Sequence, residues 1–273
     1  MRRNSLIIIF LLFTFQTFAQ VRISGSVLNE KSRQPIEFVN IGIVGKNIGT
    51  VSDRNGNFSL LIDAQHANDS LLFSYIGFES RSMRISEMQE NDIIILSEKS
   101  QLLDEVVVVP RNFRERTFGV NASSPMIQAG FSQNALGYEL GLLMRNRRMA
   151  ILQSVNVNVA SIAYDTVFFR LNVYEQRGRM DFENILIEPI YVTVSREKVL
   201  KTNSLQIDLT DRNIVVNGNF LVTLEHIKDL GDDGGLFFPA NLRHRTHFRR
   251  TSQGSWETGP VGIALSVTAL VER

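Results

Sequence analysis

Along most of this chain, apolar and polar residues alternate with a period of two rather than recurring every three or four positions. Short runs of Val, Ile, Leu and Phe are punctuated by Asn, Asp, Gly and Ser, which is how strands and turns of an all-β sandwich or barrel read. In the N-terminal part the pattern predicts strands over 21–28, 37–44, 50–51, 57–62, 70–75, 78–85 and 93–96. Val39, Ile41 and Ile43 share one strand face, as do Phe58, Leu60 and Ile62, so both sets read as core stripes. Asp104-Glu105-Val106-Val107-Val108-Val109 is a further strand-like run, closed by Pro110. From Arg111 to Pro125 the chain is charged, polar and aperiodic, and it reads as a linker.

Strand patterning resumes beyond it, over 150–160, 166–174, 185–195, 204–209, 219–225, 236–238, 246–250 and 262–271. Val167, Phe169, Leu171 and Val173 fall on one face. About eight strands in such a stretch suit a two-sheet, jelly-roll-like sandwich. Only the segment from Gly137 to Arg147 suggests a helix, and Gly141 weakens that expectation. The predicted organisation is a leader at 1–19, a first sandwich at 20–109, a linker at 110–125 and a second sandwich at 126–273.

The leader rests on its own pattern. Arg2 and Arg3 precede an apolar run from Leu6 to Phe15, and Thr17-Phe18-Ala19 offers small residues at a cleavage point after Ala19. This is the layout of a secretory signal peptide, too short and wrongly flanked for a membrane span. The chain is thus expected to be exported, with no span left after cleavage. It contains no cysteine, so disulfides, thiolate zinc sites, a cysteine nucleophile and a lipidated cysteine are all excluded. A formal charge of +1 gives no global field toward nucleic acid or an anionic membrane, and no nucleic-acid partner is expected.

The order of fragments in the first sandwich carries a resemblance. Ile23-Ser24-Gly25-Ser26-Val27 is followed by Pro35-Ile36, by Val39-Asn40-Ile41-Gly42-Ile43, and by Gly49-Thr50 with Ser52-Asp53. Then come Asn55-Gly56-Asn57-Phe58, Leu72-Phe73-Ser74-Tyr75-Ile76-Gly77-Phe78-Glu79, Ile95-Leu96 and Leu103-Asp104-Glu105-Val106-Val107-Val108. This series resembles the carboxypeptidase regulatory-like domain, a seven-stranded transthyretin-like sandwich, over roughly residues 21–109. The resemblance implies a module without catalytic residues. Such modules stand beside enzymes and often at the periplasmic N-terminus of TonB-dependent outer-membrane receptors for glycans and other nutrients. The chain ends before a plug and barrel, so the receptor role is not expected to carry over whole. The second sandwich resembles no family.

Asp53, Asn55 and Gly56 pose a choice between a calcium loop and a turn. Asn-Gly is a strong tight-turn signal, and Asp53 can accept bonds from neighbouring backbone N–H groups. An EF-hand loop would need its Gly one residue later and a Glu further on, so the turn is expected. Asp104, Glu105, Val106, Val107 and Val108 look like the TonB-box region of those receptors. They are candidate partner-binding residues that add a strand to an exposed edge; the plainer role is closing the first sandwich. The stretch from Arg243 to Arg250, read as one strand, puts Arg243, Arg245, His247 and Arg249 on a single face. Arg245 and Arg249 are then candidates for reading acidic groups, and a charged edge strand is the bland alternative. His244 and His247 do not make a metal site by spacing alone.

Asp232-Asp233-Gly234-Gly235 could hold calcium, or the following Phe237 and Phe238 could meet a sugar. Adjacent Phe residues point to opposite faces, so one belongs to the core. Trp256, the sole tryptophan, lies in a polar, Gly-rich stretch and is a ligand-contact candidate. Arg145, Arg147 and Arg148 read as lining the seam between the sandwiches. Glu225-His226 ends a strand without an evident third partner, and none of the Gly-x-Ser-x-Gly, His-Glu-x-x-His or phosphate-loop patterns occurs. The leading expectation is a non-catalytic binding or adaptor protein of a Gram-negative envelope, at the periplasm or outer membrane or on the cell surface, working through a protein partner and needing no cofactor or metal. The alternative is a carbohydrate-binding protein using Trp256, Phe237, Phe238, Arg245 and Arg249.

Overall fold

The computed structural model describes residues 20–99, 112–132, 134–231 and 234–273. The expected leader, Asp104–Val109 and the Asp232-Asp233 pair lie outside the described residues. The first sandwich is built from β1 (Gln20–Asn29), β2 (Asn40–Gly42), β3 (Gly49–Val51), β4 (Asn57–Asp63), β5 (Ser70–Ser74), β6 (Arg81–Arg84) and β7 (Asp92–Leu96). One sheet runs β4-β1-β7, with β1 antiparallel to β4 and parallel to β7; the other runs β3-β2-β5-β6. Val27, Ile41, Phe73 and Ile94 are fully buried between them. Phe58 meets Phe73 edge-on at 5.4 Å. Each such aliphatic or aromatic burial contributes about 1.5–3 kcal/mol.

The segment Asp53–Phe58 is a tight turn held by its own side chain. Asp53 Oδ1 accepts from the backbone N–H of Asn55 and of Asn57, both at 2.8 Å, and Gly56 takes φ +74°. A residue with a Cβ is strained there, and the added carbon would stand 2.6 Å from the Val27 carbonyl. The turn is not a hairpin within one sheet: it passes the chain from β3 in one layer to β4 in the other.

The second sandwich begins with β8 (Phe113–Gly119), β9 (Gln128–Phe131), β10 (Glu139–Met144), β11 (Met149–Asn158), β12 (Ser161–Ile162) and β13 (Thr166–Gly178). It continues with β14 (Asp181–Asn184), β15 (Ile190–Ser195), β16 (Ser204–Asp208), β17 (Val215–Asn217) and β18 (Phe220–His226). Last come β19 (Leu236–Asn241), β20 (Thr246–Arg249), β21 (Glu257–Thr258), β22 (Gly262–Ile263) and β23 (Leu265–Glu272). The larger sheet runs β14-β13-β18-β10-β20-β21 with β15 also on β13; the facing sheet runs β16-β11-β23-β8 with β17 on β11. A smaller sheet runs β12-β19-β22 with β9 on β19. Leu142, Leu171 and Val222 from the larger sheet share one core with Val155, Val267 and Ala269 from the facing one.

Two expectations change here. The stretch expected as a linker contains β8, an edge strand laid antiparallel on β23 from Phe113↔Glu272 to Gly119↔Ser266. Its Arg-Glu-Arg-Thr run lacks hydrophobic periodicity because an edge strand at the surface tolerates charge, and charge there discourages edge-to-edge pairing. The segment expected to be helical is β10, a central strand between β18 and β20 that is buried on both faces. The single α-helix among the described residues, α1 (Arg196–Thr202), is instead capped by the Ser195 hydroxyl, which accepts from Lys198 N–H at 3.3 Å.

The four-stranded sheet of the first sandwich packs against the second. Phe38, entering β2, takes φ +54° and buries its ring with Val51 and Ile227, 5.3 Å from the ring of Phe168 and 5.5 Å from that of Tyr191. A Cβ on either Gly42 or Gly49 would stand 2.4 Å from the Ser252 carbonyl, so the backbones meet closely. Gln253 Nε2 donates to Ser74 Oγ at 2.6 Å, Gly45 N–H to the Gln253 carbonyl at 2.9 Å, and the hydroxyls of Tyr75 and Tyr191 lie 3.0 Å apart.

Candidate functional site

Alternation along β13 sends Val167, Phe169, Leu171 and Val173 into the core. The intervening Arg170, Asn172 and Tyr174 point to the opposite face, yet all three are buried. Strand register then builds a row of charges. Arg170 lies opposite Glu225 on β18, Glu225 opposite Glu139 on β10, and Glu139 opposite Arg249 on β20. Two carboxylates thus sit side by side at the centre of the sheet, each flanked by an arginine.

Hydrogen bonds complete the row. Arg170 Nε and Nη2 donate to Glu225 Oε2 at 3.0 and 2.9 Å, and Arg249 Nε donates to Glu139 Oε2 at 2.7 Å. Asn172 Nδ2 bridges the carboxylates, 2.8 Å from Glu225 Oε2 and 2.9 Å from Glu139 Oε1. The hydroxyls of Tyr174, at 2.8 Å, and Thr223 also donate to Glu139 Oε1. Burial and then the Glu139 charge push the Tyr174 phenol well above its ordinary range, so it stays a donor. Burial alone would raise Glu225, but Arg170 and Arg249 outweigh it and hold the carboxyl below the usual range. Each carboxylate thus lies against a guanidinium, Glu225 on Arg170 and Glu139 on Arg249, which is the condition under which buried charge is tolerable.

The row is capped at both ends. At one end Arg170 Nη1 donates to the Phe38 carbonyl at 2.8 Å and Nη2 to Asn40 Oδ1, so the first sandwich supplies acceptors for a guanidinium of the second. At the other, the Arg249 guanidinium lies 5.0 Å from the ring centroid of Trp256, which meets Tyr174 and Phe182 edge-on at 5.6 and 5.4 Å. Arg249 is thus a structural ion-pair residue and not a surface reader. The expected single strand face is replaced by a turn with exposed Arg243 and Arg245, followed by β20, in which His247 and Arg249 are buried. Phe238 belongs to the core and Phe237 is half-buried on β19. Among the described residues no cluster of His, Asp and Glu suits a metal, His244 and His247 included.

Beyond Trp256 the surface opens into a groove. Strand β20 stops at Thr246, opposite Leu142, which leaves the last residues of β10 uncovered on that side. The resulting hollow, of about 1550 Å³, runs past Trp256, Leu143 and Arg145 toward Arg116 on β8. It adjoins a second hollow of about 590 Å³, with which it shares Arg116, Leu143 and Arg145. Arg179 and the Arg243–Arg245 turn edge the first; Arg114, Arg147 and Arg148 edge the second. Arg145, Arg147 and Arg148 therefore line this groove rather than the seam, and none of them pairs with an acid among the described residues. Sequence reasoning passed over Glu139, Arg170, Asn172 and Thr223. The polar residues opposite the β13 core stripe are visible in the sequence, but their alternation reads the same as a solvated face, and only strand register shows them buried.

Residues 23–108 match the CarboxypepD_reg-like domain family. The TonB-dependent receptor SusC of Bacteroides thetaiotaomicron is 26% identical over 96 residues, covering 35% of this chain and 9% of the receptor. Two TonB-dependent receptors of Formosa agariphila are 33% identical over 119 residues and 31% over 87 residues. They cover 43% and 32% of this chain but 11% and 8% of their own lengths, so the likeness spans about a tenth of each relative. Among solved structures, the VP2 subviral particle of infectious bursal disease virus covers 92% of this chain and 64% of its own. Its identity is 9% and its TM-score 0.17, too low to carry an argument. The N-terminal sandwich is a carboxypeptidase regulatory-like domain.

Proposed function

We propose that this chain is an exported, non-catalytic adaptor of a Gram-negative cell envelope, working at the periplasm or outer membrane by contact with a protein partner. The observation that carries this reading is the orientation of the first sandwich. Its four-stranded sheet is spent on the second sandwich, through Phe38, Gly42, Gly49 and Ser74. Among the described residues, its three-stranded sheet borders the second sandwich only along the β4 edge, where Ser59–Leu61 share a hollow with Leu136 and Arg250. No strand among the described residues pairs with the free sides of β4 and β7, and Leu61 and Ile93 stand 53% and 60% exposed on them. The module that this chain shares with the N-terminal regions of TonB-dependent receptors thus presents an unpaired sheet for strand addition or side-chain contact. Asp104–Val108, which follows β7 in the sequence, is the proposed partner-binding segment.

Site-specific photo-crosslinking in the native envelope tests this. A crosslinker at Leu61 or Ile93 should trap one outer-membrane protein in a discrete band that a crosslinker at Leu200, on α1, does not give. Equal, diffuse adducts from all three positions, or none from any, would remove the adaptor reading.

A further inference from the structure

The groove beyond Trp256 is independent of the docking face. Its basic residues come from four separate places in the chain: β8, the β10–β11 turn, the β13–β14 turn and the β19–β20 turn. Outside it, the described arginines of the second sandwich hold carboxylates. Arg170 pairs with Glu225, Arg177 with Glu183, Arg196 with Asp165, Arg212 with Glu188, Arg249 with Glu139 and Arg250 with Glu257; Arg273 is the exception. Not one of the groove arginines has such a partner among the described residues. The single carboxylate in the lining, that of Glu257, is already taken by Arg250 at 3.0 Å. Gathering unpaired guanidinium groups on one surface is unfavourable for the free protein, and an anion reverses that sign.

We propose that this groove binds an acidic polysaccharide, a chain of sugar rings bearing carboxylate or sulfate groups. Each step to that class is physical. The cations are arginines, with no lysine in the lining, and the planar guanidinium fork suits two-point bonding to carboxylate and sulfate oxygens. Together the two hollows exceed the few hundred to 1,000 Å³ that enclose a small ligand, and they continue into one another, which suits a chain. Trp256 supplies an aromatic surface at one end, and its edge contacts with Tyr174 and Phe182 keep it from folding away. The C–H face of a pyranose packs on such a ring.

The lining also argues against an amphipathic peptide or a lipid. Phe118, Leu142 and Met144 are buried, and none of the large exposed apolar side chains lines the groove. Acyl chains or apolar peptide anchors would find little to cover.

Trp256 is the only tryptophan, so its emission reports on the groove alone. The purified protein is titrated with polygalacturonate and with dextran sulfate, and with neutral dextran, polyglutamate and oligothymidylate for comparison. Saturable binding of at least one acidic polysaccharide is expected, with no response to dextran. Arg145→Gln combined with Arg245→Gln should weaken it at least tenfold, while Arg212→Gln, outside the groove, leaves it unchanged. Calorimetry on Trp256→Phe should show a several-fold loss for the polysaccharide and none for polyglutamate. Which polymer binds tells carboxylate from sulfate.

All the arginines altered are exposed, so folding does not confound the result. No binding of either acidic polysaccharide at low salt would overturn the proposal. So would binding indifferent to the double substitution, or equal affinity for polyglutamate or oligothymidylate, which would leave only a non-selective basic surface.

Discussion

Arg170 is the residue on which the two sandwiches meet. It is 1% exposed and divides its donors between Glu225 of its own sheet and the Phe38 carbonyl and Asn40 of the other domain. Removing one member of a buried pair strands the other, at a cost of about 3–5 kcal/mol. Arg170→Met should therefore lower the unfolding free energy by about that much in urea, and the cost should shrink when Glu225→Gln is added. The same residue chemistry fixes the acid side of the stability curve. Glu225 is held below the ordinary carboxylate range, so its contribution is complete above the unfolded value near pH 4.3 and is lost as pH falls further.

His226 acts earlier on the way down. Burial lowers its pKa, and Nε2–H donates to the Lys228 carbonyl at 2.7 Å. As pH drops through about 6.5, the unfolded chain takes up a proton that the folded chain refuses, and stability declines. Urea midpoints at pH 7.5 and 5.5 should differ more for the native protein than for His226→Gln; equal differences would discard this assignment. Little of this was legible beforehand. Glu225 stood in the sequence without a visible partner because Arg170 is 55 residues away and arrives through strand register alone.

Elements were read well where one face is wet and poorly where both faces share one environment. Strands β4 and β5 of the first sandwich follow the period-two pattern because alternate residues are exposed, and the β13 stripe keeps it because its buried opposite face is polar. Strand β10 hides this pattern, since neighbours bury both its faces, and a Leu-rich run buried all round gives no period. Strand β8 fails for the opposite reason, with three consecutive charged residues among its five exposed positions. Its hydrogen bonding makes a test. Val120 N–H donates to the Leu265 carbonyl and Arg273 N–H to the Asn112 carbonyl, so even-numbered residues face β23 and odd-numbered N–H groups point outward. Arg116→Pro deletes a ladder bond and orphans a carbonyl, and should cost at least about 1 kcal/mol more than Thr117→Pro. Denaturation midpoints in the reverse order would mean that β8 is registered differently on β23.

At the scale of the molecule, the question is whether two sandwiches of separate core behave as one body. Their cores are distinct, with Phe38, Val51 and Ile227 forming a third cluster at the seam. Hydrophobic contact alone would allow some sliding. What forbids it is a combination of directional bonds and close backbone approach: Arg170 into the β2 entry, Gln253 onto Ser74, and Gly42 and Gly49 flat against Ser252. The proposed docking face on the first sandwich and the proposed anion groove on the second would then keep a fixed geometry relative to one another. Calorimetry should accordingly show a single unfolding transition for the native protein. Gly42→Val forces a side chain into the Ser252 carbonyl, where the backbone on both sides has no room to yield. It should open the seam and resolve the trace into two transitions, that of the first sandwich shifted down because the added carbon also stands 2.9 Å from the Ile48 carbonyl on its own side. A single transition merely shifted to lower temperature would instead mean that the first sandwich has no stability of its own, and that the seam is part of its fold rather than a joint between two.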